Sequence, residues 1–286
     1  MRNSGSRALW KIVSSPEQSD LVKYLERHEP LATVVSDRLR RFPLDRRLHG
    51  GGRVHFRENC GAVYQGPGGF FAPFFSGYSP EDLHAQAALR RNFGAFLRPR
   101  TIMGAEAHVE ALTALLGANP RTWVNYDLLS LSPPDYPRRM PAPRDISIVR
   151  PRPDQWRSLL QLQIAYEIEE VLLPGTRPAP EHSKTSLIDS LTCQRVLVAV
   201  CQGDVIGRVA TNARGMGTDQ IGGVYTVPSW RGRGIARLLM THLLADLARE
   251  GRRASLFVKK DNTAARRLYD GLHFSFVSPY RISYYR

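Results

Sequence analysis

Downstream of about residue 145 the apolar positions change period in a regular order. "DQWRSLLQLQIAYEIEEVLL" (154–173) carries them at helical spacing and is closed by Pro174 and Gly175, which predicts a helix. "PEHSKTSLIDSLTC" (180–193) predicts a second helix. Two β-branched runs follow, "RVLVAVCQ" (195–202) and "VIGRVATNA" (205–213), joined by the hairpin signal Gly203-Asp204. Then come a strand over 221–228, a helix over 234–250, a strand over 254–260, a helix over 262–272, and a closing strand pair, "FSFVS" and "YRISYY". With the strand opened by "DISIVRP" (145–151), the order reads β-α-α-β-β-β-α-β-α-β-β. Such alternation folds as a mixed sheet with helices on its faces, an α/β (α+β) class.

The first half is less regular. Helices are predicted over 16–28 and 80–93, and a strand–Gly–helix unit in "RTIMGAEAHVEALTALLG" (100–117). "GAVYQGPGGFFAPFFSG" (61–77) reads as a Gly-broken hairpin with an aromatic tip. The sharpest break in composition is "LSPPDYPRRMPAPRD" (131–145), where five prolines forbid regular structure. The expected organisation is an α/β N-terminal domain, 1–143, ending in a Pro-rich linker (131–143), and a second domain, 144–286.

Composition narrows the class. Either half of the 286 residues is long enough to bury a core. No apolar run approaches 18 residues, which argues against a membrane span, and "MRNSGSRALWKIVSS" has too short an apolar stretch for a signal peptide. Cys60, Cys193 and Cys201 form no Cys-x-x-Cys pair, so neither a disulfide framework nor a metal site is expected, and a reducing cytoplasm fits. Cys193 and Cys201 read as small apolar residues flanking a strand. The net charge of +14 divides into +6 and +8 over the two halves with no run of five like charges. That spread disfavours a nucleic-acid face but favours any anionic ligand, a small polyphosphate included.

The chemistry concentrates in "YTVPSWRGRGIARLLM" (225–240), where a strand hands over to a helix. A helix N-terminus presents unsatisfied N–H groups and positive potential, so it attracts anions. Gly232 and Gly234 permit positive φ and close approach, and Arg231 and Arg233 add charge. The blander reading is a helix start with surface arginines. Neither the Walker A loop nor the dinucleotide fingerprint is satisfied. "RGRGIA" does fit Arg/Gln-x-x-Gly-x-Gly/Ala through Arg231, Gly234 and Ala236. That pattern resembles the coenzyme A pyrophosphate loop of the GNAT superfamily of N-acetyltransferases. "VYTVP" resembles the family's central strand, and "NTAARRLYDGLHF" its Asn-x-x-Ala-x-x-x-Tyr helix. The resemblance covers about 140 residues.

The resemblance implies a mostly antiparallel sheet whose two central strands splay around acetyl-CoA. Backbone N–H groups from Arg231 through Gly232, Arg233, Gly234 and Ile235 to Ala236 would hold the pyrophosphate. Main-chain groups of Tyr225, Thr226 and Val227 would pair with the pantetheine arm, the Val227 N–H lying near the thioester oxygen. Asn262 would cap its helix and touch the cofactor, with Arg266 on the same helix. Tyr269 would protonate the departing thiolate, a phenol of pKa about 10 giving its proton to a thiol of about 8.5; its alternative is a packing tyrosine. His273 replaces the family's usual Gly, so that turn is expected to run differently.

Many relatives place a glutamate base on the central strand, yet residues 221–227 hold no carboxylate. Tyr166, Glu169 and Glu170 share one helical face at i, i+3, i+4. Glu170, followed by apolar residues, is the candidate base with Glu169 beside it, against the alternative of a solvated face. Asn212 and Gln220 are candidates to orient a substrate at the splayed end, or else they cap strand ends. Gly222-Gly223 signals a close approach or a bulge. The N-terminal half resembles a degenerate copy of the same fold, with 100–117 as counterpart of the cradle unit but without its motif. No second cofactor is expected there; walling the acceptor site or forming a homodimer is. The expected activity is direct transfer of acetyl from acetyl-CoA to a primary amine in a ternary complex. The alternative is a silent acyl-CoA-binding sensor or scaffold.

Overall fold

The computed structural model describes residues 10–13, 15, 19–42, 44, 51–79, 81–93, 98–173 and 175–285. Most of the N-terminal segment read for a signal peptide, the first positions of the 16–28 helix, Pro80 and Pro174 therefore lie outside the described residues. The first half contributes β1 (Lys11–Ile12), α1 (Ser19–Arg27), α2 (Thr33–Arg41), β2 (Arg53–Arg57), β3 (Gly61–Gln65) and β4 (Phe70–Phe75). It continues with α3 (Leu83–Phe93), β5 (Thr101–Ala105), α4 (Glu106–Leu116) and β6 (Thr122–Leu131). The second half contributes β7 (Ile146–Val149), α5 (Trp156–Tyr166), α6 (Pro180–Cys193), β8 (Val196–Cys201), β9 (Asp204–Arg214) and β10 (Thr218–Thr226). Its remaining elements are α7 (Ile235–Arg249), β11 (Arg253–Lys259), α8 (Thr263–Asp270) and β12 (Ser275–Tyr284).

Among the described residues, twelve strands join one sheet in the order β1-β2-β3-β4-β5-β12-β6-β11-β10-β9-β8-β7. Its plan is written twice. Four antiparallel strands are followed by a parallel fifth, β5 on β4 in one half and β11 on β10 in the other. Each half then takes its sixth strand from the other: β12 lies on β5, and β6 lies on β11. The exchanged strands pair with each other at the centre from Ser275↔Ser130 to Tyr284↔Thr122. The Pro-rich stretch after β6 thus leads out of a strand embedded among those of the second half.

This plan corrects three readings. The unit at 100–117 is β5 and α4, which by its parallel pairing corresponds to β11 and α8. The place of the cradle belongs to the β4–α3 connection instead. The closing strand pair is one strand, β12, with a bulge between Phe276 and Ser278. Pro279 is tolerated because pairing with β5 begins only at Tyr280, so the missing N–H falls beside an open edge. The four phenylalanines of 61–77 stand in β4 and Tyr64 in β3, not at a hairpin tip.

The core of the second half forms where α7 covers the sheet. Leu238, Leu239, Leu243, Leu244 and Leu247 recur at helical spacing and are all buried. Each contributes about 2 kcal/mol by leaving water. The halves are also joined by polar contacts. The buried Glu29 carboxylate accepts from the N–H groups of Met216 (2.6 Å) and Gly217 (2.9 Å), and Asp37 accepts from Arg214 N–H (2.8 Å). Asp219 is buried between Arg195 (2.8 Å) and Arg252 (2.6 Å). These contacts fix the β9–β10 turn from which the central strand starts. No helix among the described residues is long and apolar enough to cross a membrane.

Candidate functional site

β10 and β11 pair in register only from Thr218↔Arg253 to Ile221↔Leu256. Beyond that point β10 bulges between Gly222 and Tyr225, with Gly223 at φ 57°, and the two strands part. A cleft of about 640 Å³ opens in the gap. The Gly222-Gly223 pair serves both readings: it sits at the bulge, and a Cβ on Gly222 would stand 2.5 Å from the Asn212 amide.

Gly232 (φ 74°) and Gly234 (φ 78°) turn the chain into α7. A side chain at either would meet nothing within 4 Å, so glycine is required here for backbone conformation. α7 has no side-chain cap, and its first hydrogen bond runs from Leu238 N–H to the Gly234 carbonyl (2.9 Å). The N–H groups of Ile235, Ala236 and Arg237 precede it and have no acceptor within the helix. Gly232, Gly234, Ile235, Ala236 and Arg237 all line the cleft. Arg231 departs from the expected cradle. Its N–H donates to Pro228 (3.2 Å), and its guanidinium crosses the cleft to the Thr226 carbonyl (3.1 Å) and the Glu169 carboxylate (2.7 Å). Arg233 is exposed and lies over the Trp230 ring at 4.8 Å.

Tyr225 and Thr226 line the cleft. Val227 does not offer the expected amide, since its N–H donates to Ile206 at 3.0 Å. Because strand residues alternate, Thr226 turns its main chain to the other side, toward the gap.

α5 ends at Tyr166 and widens into a π-helical turn, Glu167–Val171, so the expected i, i+3, i+4 face is distorted there. Tyr166, Glu169 and Glu170 nonetheless all reach the cleft. The turn is anchored by buried Glu167, which accepts from Gln163 (2.6 Å) and from the Ser183 hydroxyl. The Tyr166 hydroxyl accepts from Gly223 N–H at 3.2 Å. Glu170 is half-buried, 3.3 Å from the Asn262 amide and 3.5 Å from Lys259.

Asn262 caps α8 by accepting from Ala265 N–H (3.0 Å) and lines the cleft. Tyr269, 7% exposed, lies two turns along the same face. Burial, with Tyr166 and Glu170 nearby, pushes its phenol well above the usual tyrosine range. His273 adopts φ 66°, so the turn after α8 keeps the left-handed geometry for which glycine is the usual choice. Two expected residues lie elsewhere. Arg266 pairs with Asp127 and is not among the lining residues. Gln220 is the third residue of β10, buried at the closed, paired end instead of the splayed one. Asn212 lines the cleft. Tyr126, Phe257, Ile282 and Tyr284 also line it and were not apparent as site residues. Their only sequence signal is the alternation of β-strands that meet solely through the strand exchange.

An acetyltransferase (GNAT) family model matches residues 160–274. Residues 160–274 thus carry a GNAT acetyltransferase domain. Solved structures extend the likeness in fold to nearly the full length of the chain. A Drosophila protein solved in a structural-genomics programme has a TM-score of 0.71 at 12% identity, covering 97% of this chain and 98% of that one. A GNAT acetyltransferase from Colwellia psychrerythraea gives 0.54 at 16% identity, covering 97% and 99%. A tandem GNAT protein of the clavulanic acid biosynthesis pathway gives 0.54 at 13%, covering 96% and 97%. At these identities the likeness is one of fold. No curated protein matches the sequence.

Proposed function

We propose that the protein is an acetyl-CoA-dependent N-acetyltransferase that passes acetyl directly to a primary amine. The observation that carries this reading is the uncapped start of α7, whose free N–H groups open on the cleft where β10 and β11 part. That arrangement suits a pyrophosphate at one end and an extended thiol arm along Thr226. The thioester is the activated acyl donor. Within the chain, Glu170 takes a proton from the acceptor ammonium, and the amine nitrogen bonds to the acyl carbon as the carbon–sulfur bond breaks. Tyr269 then gives its proton to the sulfur, and the second proton that the nitrogen sheds as the amide forms restores the phenol. Its raised pKa keeps that proton in place at neutral pH, and a thiolate leaving in the same dry cleft has its own affinity for a proton raised by the same desolvation. All three cysteines lie outside the lining of the cleft, which favours direct transfer over an acyl-cysteine.

Release of free thiol from acetyl-CoA, followed across a panel of primary amines, tests the reading. Turnover with at least one amine is expected. Binding of acetyl-CoA without turnover by any amine favours the second reading, an acyl-CoA sensor, which draws support from the lack of a carboxylate on the β10 stretch 221–227. A Tyr269→Phe protein that keeps full activity in cells would point the same way.

A further inference from the structure

α7 and α8 cover one face of the sheet, packing Tyr269 and Leu272 against Leu129, Leu256 and Val258. The cleft passes through the sheet at the splay and opens on the other face, where its walls change character. Phe257 lies edge-on to Tyr126 (5.0 Å) and stacks on Tyr280 (5.2 Å). Tyr126 stands opposite both Lys259 and Tyr280 in the register, and Ile282 and Tyr284 follow Tyr280 at intervals of two, so all point to this face. Val171 and Glu170 of the π-helical turn close the opposite wall. Besides tyrosine hydroxyls, the polar side chains near this opening are Glu170 with its partners Lys259 and Asn262, and the Asn212 amide beside Gly222; the rings themselves offer no other polar group.

We propose that this chamber receives the acceptor, and that the acceptor is a primary amine carried on an apolar, ring-sized body. The inference rests on the acetyltransferase reading and adds the substrate class. An aromatic body packs on Tyr126, Phe257 and Tyr284 while its ammonium faces Glu170, close to the Tyr166 and Tyr269 hydroxyls. A polyhydroxylated or polycationic amine would leave its polar groups without partners against these rings. The opposite-face location separates the chamber from the α7 cradle, so the two substrates meet at the gap from different sides. Tyr126 belongs to β6, so the first half of the chain supplies a wall of the acceptor site through the strand it exchanges.

The full-length protein with saturating acetyl-CoA is assayed with 2-phenylethylamine, hexylamine, ethanolamine and spermidine. The expected kcat/KM for 2-phenylethylamine exceeds that for ethanolamine by at least about tenfold. Tyr126→Ala and, separately, Tyr284→Ala lower it by about tenfold through KM, leaving acetyl-CoA affinity unchanged. Tyr284 ends β12 half-buried, so its variant keeps the fold even where Tyr126→Ala does not. Preference for ethanolamine or spermidine overturns the proposal while acetyl transfer stands. So do variants that change the choice between acetyl-CoA and hexanoyl-CoA without moving amine KM, since the chamber then holds the acyl group. If no amine turns over, the acetyltransferase reading fails. Calorimetry with 2-phenylethylamine alone then decides the chamber: binding lost in Tyr284→Ala supports it, and no binding overturns it.

Discussion

The two halves of the sheet repeat one strand plan, yet among the described residues it is the parallel pair of the second half that parts over a cleft. In the second half β10 bulges at Gly223 and leaves β11 after four paired positions. In the first half β4 and β5 stay together past their paired residues, with Pro73 seated so close to Gly104 that a Cβ there would stand 3.1 Å from the Pro73 carbonyl. His108 fills the space beside them, edge-on to Phe74 (5.3 Å) and Phe75 (5.8 Å). The helix starts differ as well. Ahead of α3, the Ser79 hydroxyl accepts from Glu81 N–H (3.2 Å), and Asp82 pairs with Arg57 at 3.1 Å. The α3 start carries its own acceptor and its own acid; the α7 start has neither. On the proposed reading, a shared topology does not by itself make a coenzyme site: it takes the bulge and the uncapped turn as well, and both depend on a few glycines.

The largest effect expected from breaking this asymmetry concerns α8, which brings Tyr269 to a cleft. Tyr269→Phe should lower kcat by at least about a hundredfold with acetyl-CoA affinity unchanged, measured by steady-state kinetics and calorimetry. A loss below about threefold would make it a packing tyrosine. Converting the α7 start toward that of α3, by Gly234→Asp, should weaken acetyl-CoA binding by about a hundredfold, because a fixed carboxylate then meets the pyrophosphate. The unfolding midpoint should fall modestly, since aspartate at φ 78° is strained even though its side chain meets open space. Unchanged affinity would place the pyrophosphate elsewhere.

A smaller effect separates the halves by pH. Burial pushes both His55 and His108 in the first half down to about 4, and lowers His28 as well, against His242 in the second half. His55 and His108 hold protons more weakly folded than unfolded, so their stabilisation is complete above about pH 6.5 and lost as pH falls toward 4. Each should cost about 1–2 kcal/mol between pH 7 and pH 5. Urea unfolding at the two pH values checks this, and His55→Gln should flatten the slope; an unaltered slope would show that His55 is not linked to folding.

The smallest effect is at the cleft mouth. The Arg231–Glu169 pair is nearly half exposed on both sides, so it is worth at most about 1 kcal/mol. Glu169→Gln should tighten acetyl-CoA binding two- to fivefold, on the order of that energy, by freeing Arg231 for the phosphates. Weaker binding in calorimetry would assign Glu169 a direct role instead.

The sequence made the second half legible because its signals are local. Gly203-Asp204 marks a hairpin, the leucines of α7 mark a buried face, and Asn262 marks a cap, and the structure holds all three. What it hid is long-range. The β6 stretch "TWVNYDLLSL" looks like any strand, and nothing in it announces that its neighbours are β11 and β12, more than a hundred residues downstream. Tyr126 reaches the cleft only through that pairing. The placement of Gln220 failed for a related reason: the direction of splay is set by the parallel partner, which local pattern does not encode. Val227 failed because its N–H continues the ladder to Ile206, one residue past the Thr226 end of β10.

The most direct test of the asymmetry is a crystal structure of the full chain with coenzyme A. The account predicts pyrophosphate oxygens within hydrogen-bond distance of the Ile235 and Ala236 N–H groups, the thiol arm beside Thr226, and no coenzyme at the start of α3. Coenzyme bound at α3, or at α7 with its phosphates away from those amides, would contradict it.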